Sequence, residues 1–198
     1  MMRGAGMASN LPVGPFGVIY ADPPWKNSAY KKSSRNSAQH YPVMPLKEIK
    51  AMPIADIAGA NSWLFLWTTW PHLAQALDVM GVWGFKYSSN GFLWVKLQRR
   101  QAEALMFDRA SFHMGTGLTT RKNTEVCLLG KRGHPGRLSG GVCELIISEV
   151  REYSRKPDDV RERIMQYADG PYLELFARTA APGWAVWGNE TGKFKAAI

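Results

Sequence analysis

The chain has 198 residues, enough for one domain with a continuous core, and its 45% hydrophobic and 21% charged content is that of a folded globular protein. No apolar run reaches the roughly 20 residues that span a bilayer, and Met1-Met2-Arg3-Gly4 opens no signal peptide, so the expectation is a soluble, cytoplasmic protein with no membrane partner. Lys and Arg total 25 against 16 Asp and Glu, a formal net charge of +9 that suits a polyanionic partner.

Phe16-Gly17-Val18-Ile19-Tyr20-Ala21 is an apolar run rich in strand formers and stopped by Asp22-Pro23-Pro24, so it reads as a buried strand entering a rigid loop. Residues 1–15 ahead of it are expected to be flexible. From 26 to 41 the chain turns polar and basic, a loop of a length usually kept for function. A helix is expected over 46–52, broken by Pro53, followed by a second buried strand over 63–69. The next helix, over 71–80, turns Leu73, Leu77 and Met80 to one face and ends at Gly81.

Phe92-Leu93-Trp94-Val95 is a third strand, and the basic, polar stretch over 96–122 is expected to form a second substrate-side loop. Glu125-Val126-Cys127-Leu128-Leu129 is a fourth strand. The basic, glycine-rich loop after it, 131–137, and Arg99, Arg100 and Arg109 are candidates for gripping a phosphate backbone. Leu145-Ile146-Ile147 is a short strand, a helix over 157–167 turns Val160, Ile164 and Tyr167 inward, and strands over 172–176 and 184–187 close the order. Strands alternating with helices argue for an α/β fold with a mostly parallel sheet, and no linker divides the single domain expected over 1–198. Cys127 and Cys143 are expected to be small buried hydrophobes, and the four scattered histidines make no metal site.

Asp22 stands at the carboxyl end of the first strand, where open α/β sheets bind their ligands. The landmarks Ala21-Asp22-Pro23-Pro24-Trp25, His40-Tyr41-Pro42, Leu64-Phe65-Leu66-Trp67, Ser154-Arg155-Lys156-Pro157-Asp158, Glu174-Leu175-Phe176-Ala177-Arg178 and Gly188-Asn189-Glu190 follow in order. Through them the chain, from 18 to 190, resembles the adenine-N6 methyltransferases of the MT-A-seventy type. The resemblance implies a Rossmann-like, S-adenosylmethionine-dependent methyltransferase fold with helices on both faces of the sheet and the catalytic motif ahead of the cofactor motif. It implies catalytic roles for Asp22, Pro23, Pro24 and Trp25. Asp22, Ser154 and Lys156 would meet the cofactor, Lys156 at its methionine end, while Arg178, Asn189 and Glu190 would lie around its ribose and adenine.

The chemistry of adenine suits these residues. The exocyclic amine is a poor nucleophile because its lone pair is delocalised into the ring. A carboxylate from Asp22 and a carbonyl from Pro23, each accepting one amine hydrogen, would draw the nitrogen toward a pyramidal geometry and aim the lone pair at a methyl sulfonium. Two prolines fix φ and remove two backbone donors, and Trp25 offers a stacking face. Pro157 as first helical residue would place Lys156 at the positive end of a helix dipole, unfavourable unless an anion such as a cofactor carboxylate answers it. Tyr30, Lys31, Lys32, Arg35, His40, Tyr41 and Arg121 are the expected nucleic-acid contacts. Gly115-Thr116-Gly117-Leu118-Thr119-Thr120-Arg121 resembles the family's central glycine-rich segment, but Leu118 and Thr119 stand where many members carry aromatics.

The resemblance is to the short bacterial and phage branch, so DNA is the expected polymer, with RNA adenosine methylation the alternative and an inactive partner subunit a further one. Family members often work in pairs, which makes a homodimer or heterodimer the expectation.

Overall fold

Seven strands, Phe16–Ala21 (β1), Ala58–Thr68 (β2), Lys86–Leu97 (β3), Thr124–Arg132 (β4), Leu145–Glu149 (β5), Tyr172–Leu175 (β6) and Trp184–Trp187 (β7), form one sheet. The helices are Leu46–Lys50 (α1), Ile54–Ile57 (α2), Leu73–Val82 (α3) and Asp159–Tyr167 (α4). This is a computed structural model, and it describes residues 10–26, 43–101, 106–115, 120–152 and 154–192. No helix among them is long and apolar enough to cross a membrane.

The spatial order is β5-β3-β4-β2-β1-β6-β7. Every neighbouring pair is parallel except the two that β4 makes, with β2 and with β3. A two-residue period divides the apolar side chains between the faces. Ile19 and Ala21, Leu64 and Leu66, and Val126 and Leu128 face one core, which α1, α2 and α3 close with Ile49, Ile54, Ala76, Val79 and Met80. Val18 and Tyr20, Phe65 and Trp67, and Cys127 and Leu129 face the other, which α4 closes with Val160 and Ile164. Burial on both faces explains why these strands read as continuous apolar runs. The fold is the expected α/β architecture, a mostly parallel sheet covered on both sides.

Several boundaries differ from the sequence reading. β2 and β3 are longer than expected, so Lys96 and Leu97 belong to a strand and not to a loop beginning at 96. The helix after Pro71 runs past Gly81 to Val82, and Gly84 just beyond it, with a φ of 85°, lets Phe85 N donate back to Met80 O at 3.0 Å. Its buried face is Ala76, Val79 and Met80, while Leu77 is exposed. Pro157 precedes α4 by two residues, which removes the dipole argument for Lys156. Cys143 is exposed and only Cys127 of the two is buried. Leu11 packs against the core, and residues 1–9 lie outside the described ones.

The chain leaves β1 over one face through α1 and α2 to reach β2, and it enters β6, on the other side of β1, from α4 on the opposite face. The order therefore reverses at β1, and a crevice opens beyond its carboxyl end.

Candidate active site

Asp22 is the first residue past β1 and Pro23 beside it is buried. Trp25 fastens the loop: its Nε1 donates to Trp67 O at 3.0 Å, and Met44 N donates to Pro24 O at 3.0 Å. Trp25 N donates to Pro23 O at 2.8 Å, occupying one of that carbonyl's two lone pairs. The expectation that Trp25 offers a face to the adenine is corrected. The ring is 8% exposed, and the His72 imidazole stacks on it at 6.0 Å. It is an anchor for the catalytic loop.

Asp22 ends a chain of alternating charges. Lys156 Nζ lies 2.6 Å from Asp22 Oδ2 and 3.3 Å from Glu125 Oε2, and Lys96 binds the other oxygen of Glu125. Lys156 also sits 5.5 Å over the Trp67 ring, and Lys96 4.8 Å over Trp94. Two cations and two carboxylates answer one another, so partial burial is tolerable. Burial works against ionised Glu125, but Lys156 and Lys96 outweigh it and hold the carboxyl at about 2. Asp22 moves the other way: burial raises it above the ordinary aspartate value, with Lys156 opposing and Glu125 reinforcing. The anions that answer Lys156 are thus Asp22 and Glu125, where the sequence reading looked to a cofactor.

Beside Asp22 the ends of β6 and β7 form a wall. Ala177 N donates to Trp187 O at 2.9 Å, and a Cβ on Gly188 would fall 2.4 Å from Ala177 O, so the two loops touch through a glycine. Ser154 and Phe176 both hold positive φ, 59° and 61°, strain of a kind that gathers at functional sites. Arg178 Nε donates to Glu190 Oε2 at 3.1 Å. A cleft open to solvent lies here, about 800 Å³ with its open mouth included, lined by polar Asp22, Arg178 and Glu190 and by apolar Met44, Phe176 and Trp187. A second cavity of about 480 Å³ holds Tyr20, Lys156, Arg161 and Glu174, and it shares Asp22, Ser154, Phe176 and Arg178 with the first. In it Arg161 Nε lies 2.6 Å from Glu174 Oε2, and burial raises the Glu174 carboxyl while Arg161 opposes.

Asp22, Ser154, Arg178, Asn189 and Glu190 therefore line one cleft, and Lys156 reaches it through Asp22. Arg121 is exposed just ahead of β4 on the same edge and lines neither cavity. Tyr30, Lys31, Lys32, Arg35, His40 and Tyr41 lie outside the described residues. The loop over 131–137 is corrected as a backbone grip beside the target. Because β4 is antiparallel, this loop leaves the sheet at the opposite edge from Asp22, where Arg132 Nη1 donates to Ala55 O at 2.6 Å. Sequence reading missed Glu125, Lys96, Glu174 and Arg161. The signal for the first two was a charge directly flanking an apolar run, Lys96 after Phe92-Leu93-Trp94-Val95 and Glu125 before Val126-Cys127-Leu128-Leu129. No group of three His, Cys, Asp or Glu side chains among the described residues is placed to hold a metal.

The sheet reverses at β1, an acid-Pro-Pro-aromatic loop stands at that point, and a half-polar cleft opens beside it. The MT-A70 family model matches residues 16–190, and the chain belongs to that family. Type II methyltransferase M.MunI of a Mycoplasma species is 30% identical over 91% of this chain and 79% of its own length. The human N(6)-adenosine-methyltransferase catalytic subunit METTL3 is 28% identical over 90% of this chain. The human N(6)-adenine-specific methyltransferase METTL4 is 32% identical over 91% of it. The chain spans 28% of the first human protein's length and 38% of the second's. It is a methyltransferase of a family that methylates N6 of adenine or adenosine and generally uses S-adenosylmethionine.

Proposed function

We propose that this chain transfers a methyl group from S-adenosylmethionine to the exocyclic N6 amine of an adenine in nucleic acid, with DNA the favoured polymer. The observation that carries the reading is the place of Asp22, a carboxylate on the boundary shared by two cavities at the reversal point of the sheet. DNA is favoured because the type II methyltransferase is matched over most of its own length.

The donor set of the larger cleft fits the cofactor. Glu190 and Asn189 suit ribose hydroxyls, Phe176 and Trp187 supply apolar surface for a purine, and the Asp22 carboxylate suits the cationic end. Bound there, S-adenosylmethionine supplies an electrophilic methyl group. Asp22 accepts one hydrogen of the target amine, and Pro23 O, with a lone pair left beside Trp25 N, accepts the other. Both bonds strengthen as positive charge develops on the nitrogen, which is the differential binding that catalysis requires. Lys156 and Glu125 hold Asp22 in position, and burial, by raising its carboxyl, makes Asp22 the better acceptor for the departing proton. One domain carries both sites, and the target base must be unpaired or flipped to enter.

The test is transfer of labelled methyl groups to matched DNA and RNA oligonucleotides. Wild type labels DNA ahead of RNA, and Asp22→Ala, folded by circular dichroism, loses about 100- to 1000-fold in rate. A fully active Asp22→Ala removes the reading, and transfer to RNA alone moves the polymer assignment.

A further inference from the structure

The turn after β2 puts a large aromatic ring at the rim of this site. Trp70 is 42% exposed, yet its indole is tethered. Its Nε1 donates to Thr124 Oγ1 at 2.9 Å, at the first residue of β4. Two residues on, His72 stacks on Trp25, meets Thr69 Oγ1 at 2.9 Å and lies 3.4 Å from Lys26 O. The 3-10 turn Trp70–His72 thus ties the catalytic loop to the strand that carries Glu125, the carboxylate that shares Lys156 with Asp22.

Trp70 lines neither cavity. Its one polar atom is satisfied along the ring edge, so the exposed part is apolar π surface. A lone exposed aromatic is ordinary, but the surroundings here are particular. Lys26 on the catalytic loop, Arg121 ahead of β4, and Arg99 and Arg100 after β3 are all exposed on this same edge of the sheet. A held aromatic ring on an edge that also carries cations is how proteins bind single strands, because every base has a π face and every linkage a phosphate.

We propose that Trp70 is the stacking platform for a base adjoining the target adenine, in the unpaired strand of the substrate. The inference rests on the nucleic-acid reading above. The target itself goes to Asp22, inside the cavities; the neighbouring base, outside them, meets Trp70.

Two measurements test it on the full chain: fluorescence anisotropy with labelled single-stranded DNA and RNA 12-mers carrying a central adenine, and methyl transfer to the same strands. Each strand is also made with an abasic residue on either side of that adenine. Stacking on an aromatic contributes about 1–3 kcal/mol per base. Trp70→Ala should therefore bind about 5- to 150-fold more weakly and raise KM alike, with kcat less affected, while Trp70→Phe, which keeps a ring but loses the Thr124 bond, stays near wild type. One abasic position should weaken wild type and leave Trp70→Ala unchanged. Equal abasic penalties in both proteins, or Trp70→Ala binding within about twofold of wild type, overturn the inference. Transfer by wild type with no Trp70 effect sinks the platform alone; a Trp70-dependent affinity without any transfer keeps the platform and sinks the methylation reading. No binding at all sinks both. DNA against RNA strands separate the two sources of the base.

Discussion

At the scale of single residues, the cleft depends on a place where no side chain fits. Gly188 passes so close to the loop after β6 that an added Cβ would meet Ala177 O at 2.4 Å, Ala177 N at 2.7 Å and Phe176 C at 2.9 Å. All three are backbone atoms of the segment that presents Phe176, with its strained φ of 61°, to the cleft. They cannot swing aside as a flexible side chain would, so Gly188→Ala must push the β6 and β7 loops apart. The expected cost is about 1–3 kcal/mol from overpacking, seen as a melting temperature lowered by roughly 3–10 °C. Calorimetric titration with S-adenosylmethionine should show weaker binding by the same variant. Wild-type melting and wild-type affinity together would mean that the wall does not shape the cofactor site.

At the scale of elements, β4 explains both what was legible and what was not. The apolar run Val126-Cys127-Leu128-Leu129 identifies a strand, but nothing in it states direction. Looking for function at carboxyl ends finds Asp22 after β1 and Asn189 and Glu190 after β7, while Arg178 after β6 comes from the family resemblance and Phe176 is not singled out. It passes over Glu125, because an antiparallel strand brings its amino end to that edge. It also misplaces the loop over 131–137. Lys96 is hidden for a related reason: a polar residue after an apolar run looks like the start of a loop, whereas β3 carries it as strand. Trp25 shows the limit of residue type, since an indole suited to stacking is suited equally to anchoring, and its burial decides. The Glu125 carboxyl, held at about 2 against an ordinary value of 4.5, favours the folded state above the ordinary value, and that contribution fades as pH falls toward 2. Asp22 and Glu174, raised by burial, act in the opposite sense, and because Glu125 adds to the rise of Asp22 that opposition is weaker in Glu125→Gln. Wild type should therefore lose more denaturant resistance than Glu125→Gln between about pH 6 and about pH 3.5. Equal losses would mean that Lys156 and Lys96 do not hold Glu125 ionised.

At the scale of the whole molecule, the net charge of +9 is not a uniform coat. Lys26, Arg99, Arg100 and Arg121 are exposed at the edge that carries Asp22. Lys131 and Arg137, also exposed, follow the antiparallel β4 to the far edge. Only the first group is placed to meet phosphates on either side of a base that enters at Asp22. Each phosphate neutralised on a single strand contributes about 0.7 to the slope of log affinity against log salt. Arg99→Gln with Arg100→Gln should weaken binding of single-stranded oligonucleotides and flatten that slope by about 1 to 1.5. Lys131→Gln with Arg137→Gln removes the same formal charge from the other edge. If long-range attraction by net charge governed binding, the two pairs would behave alike and the difference would vanish at high salt. If contact at the catalytic edge governs it, the far-edge pair keeps the wild-type slope, and anisotropy across a salt series separates the two cases.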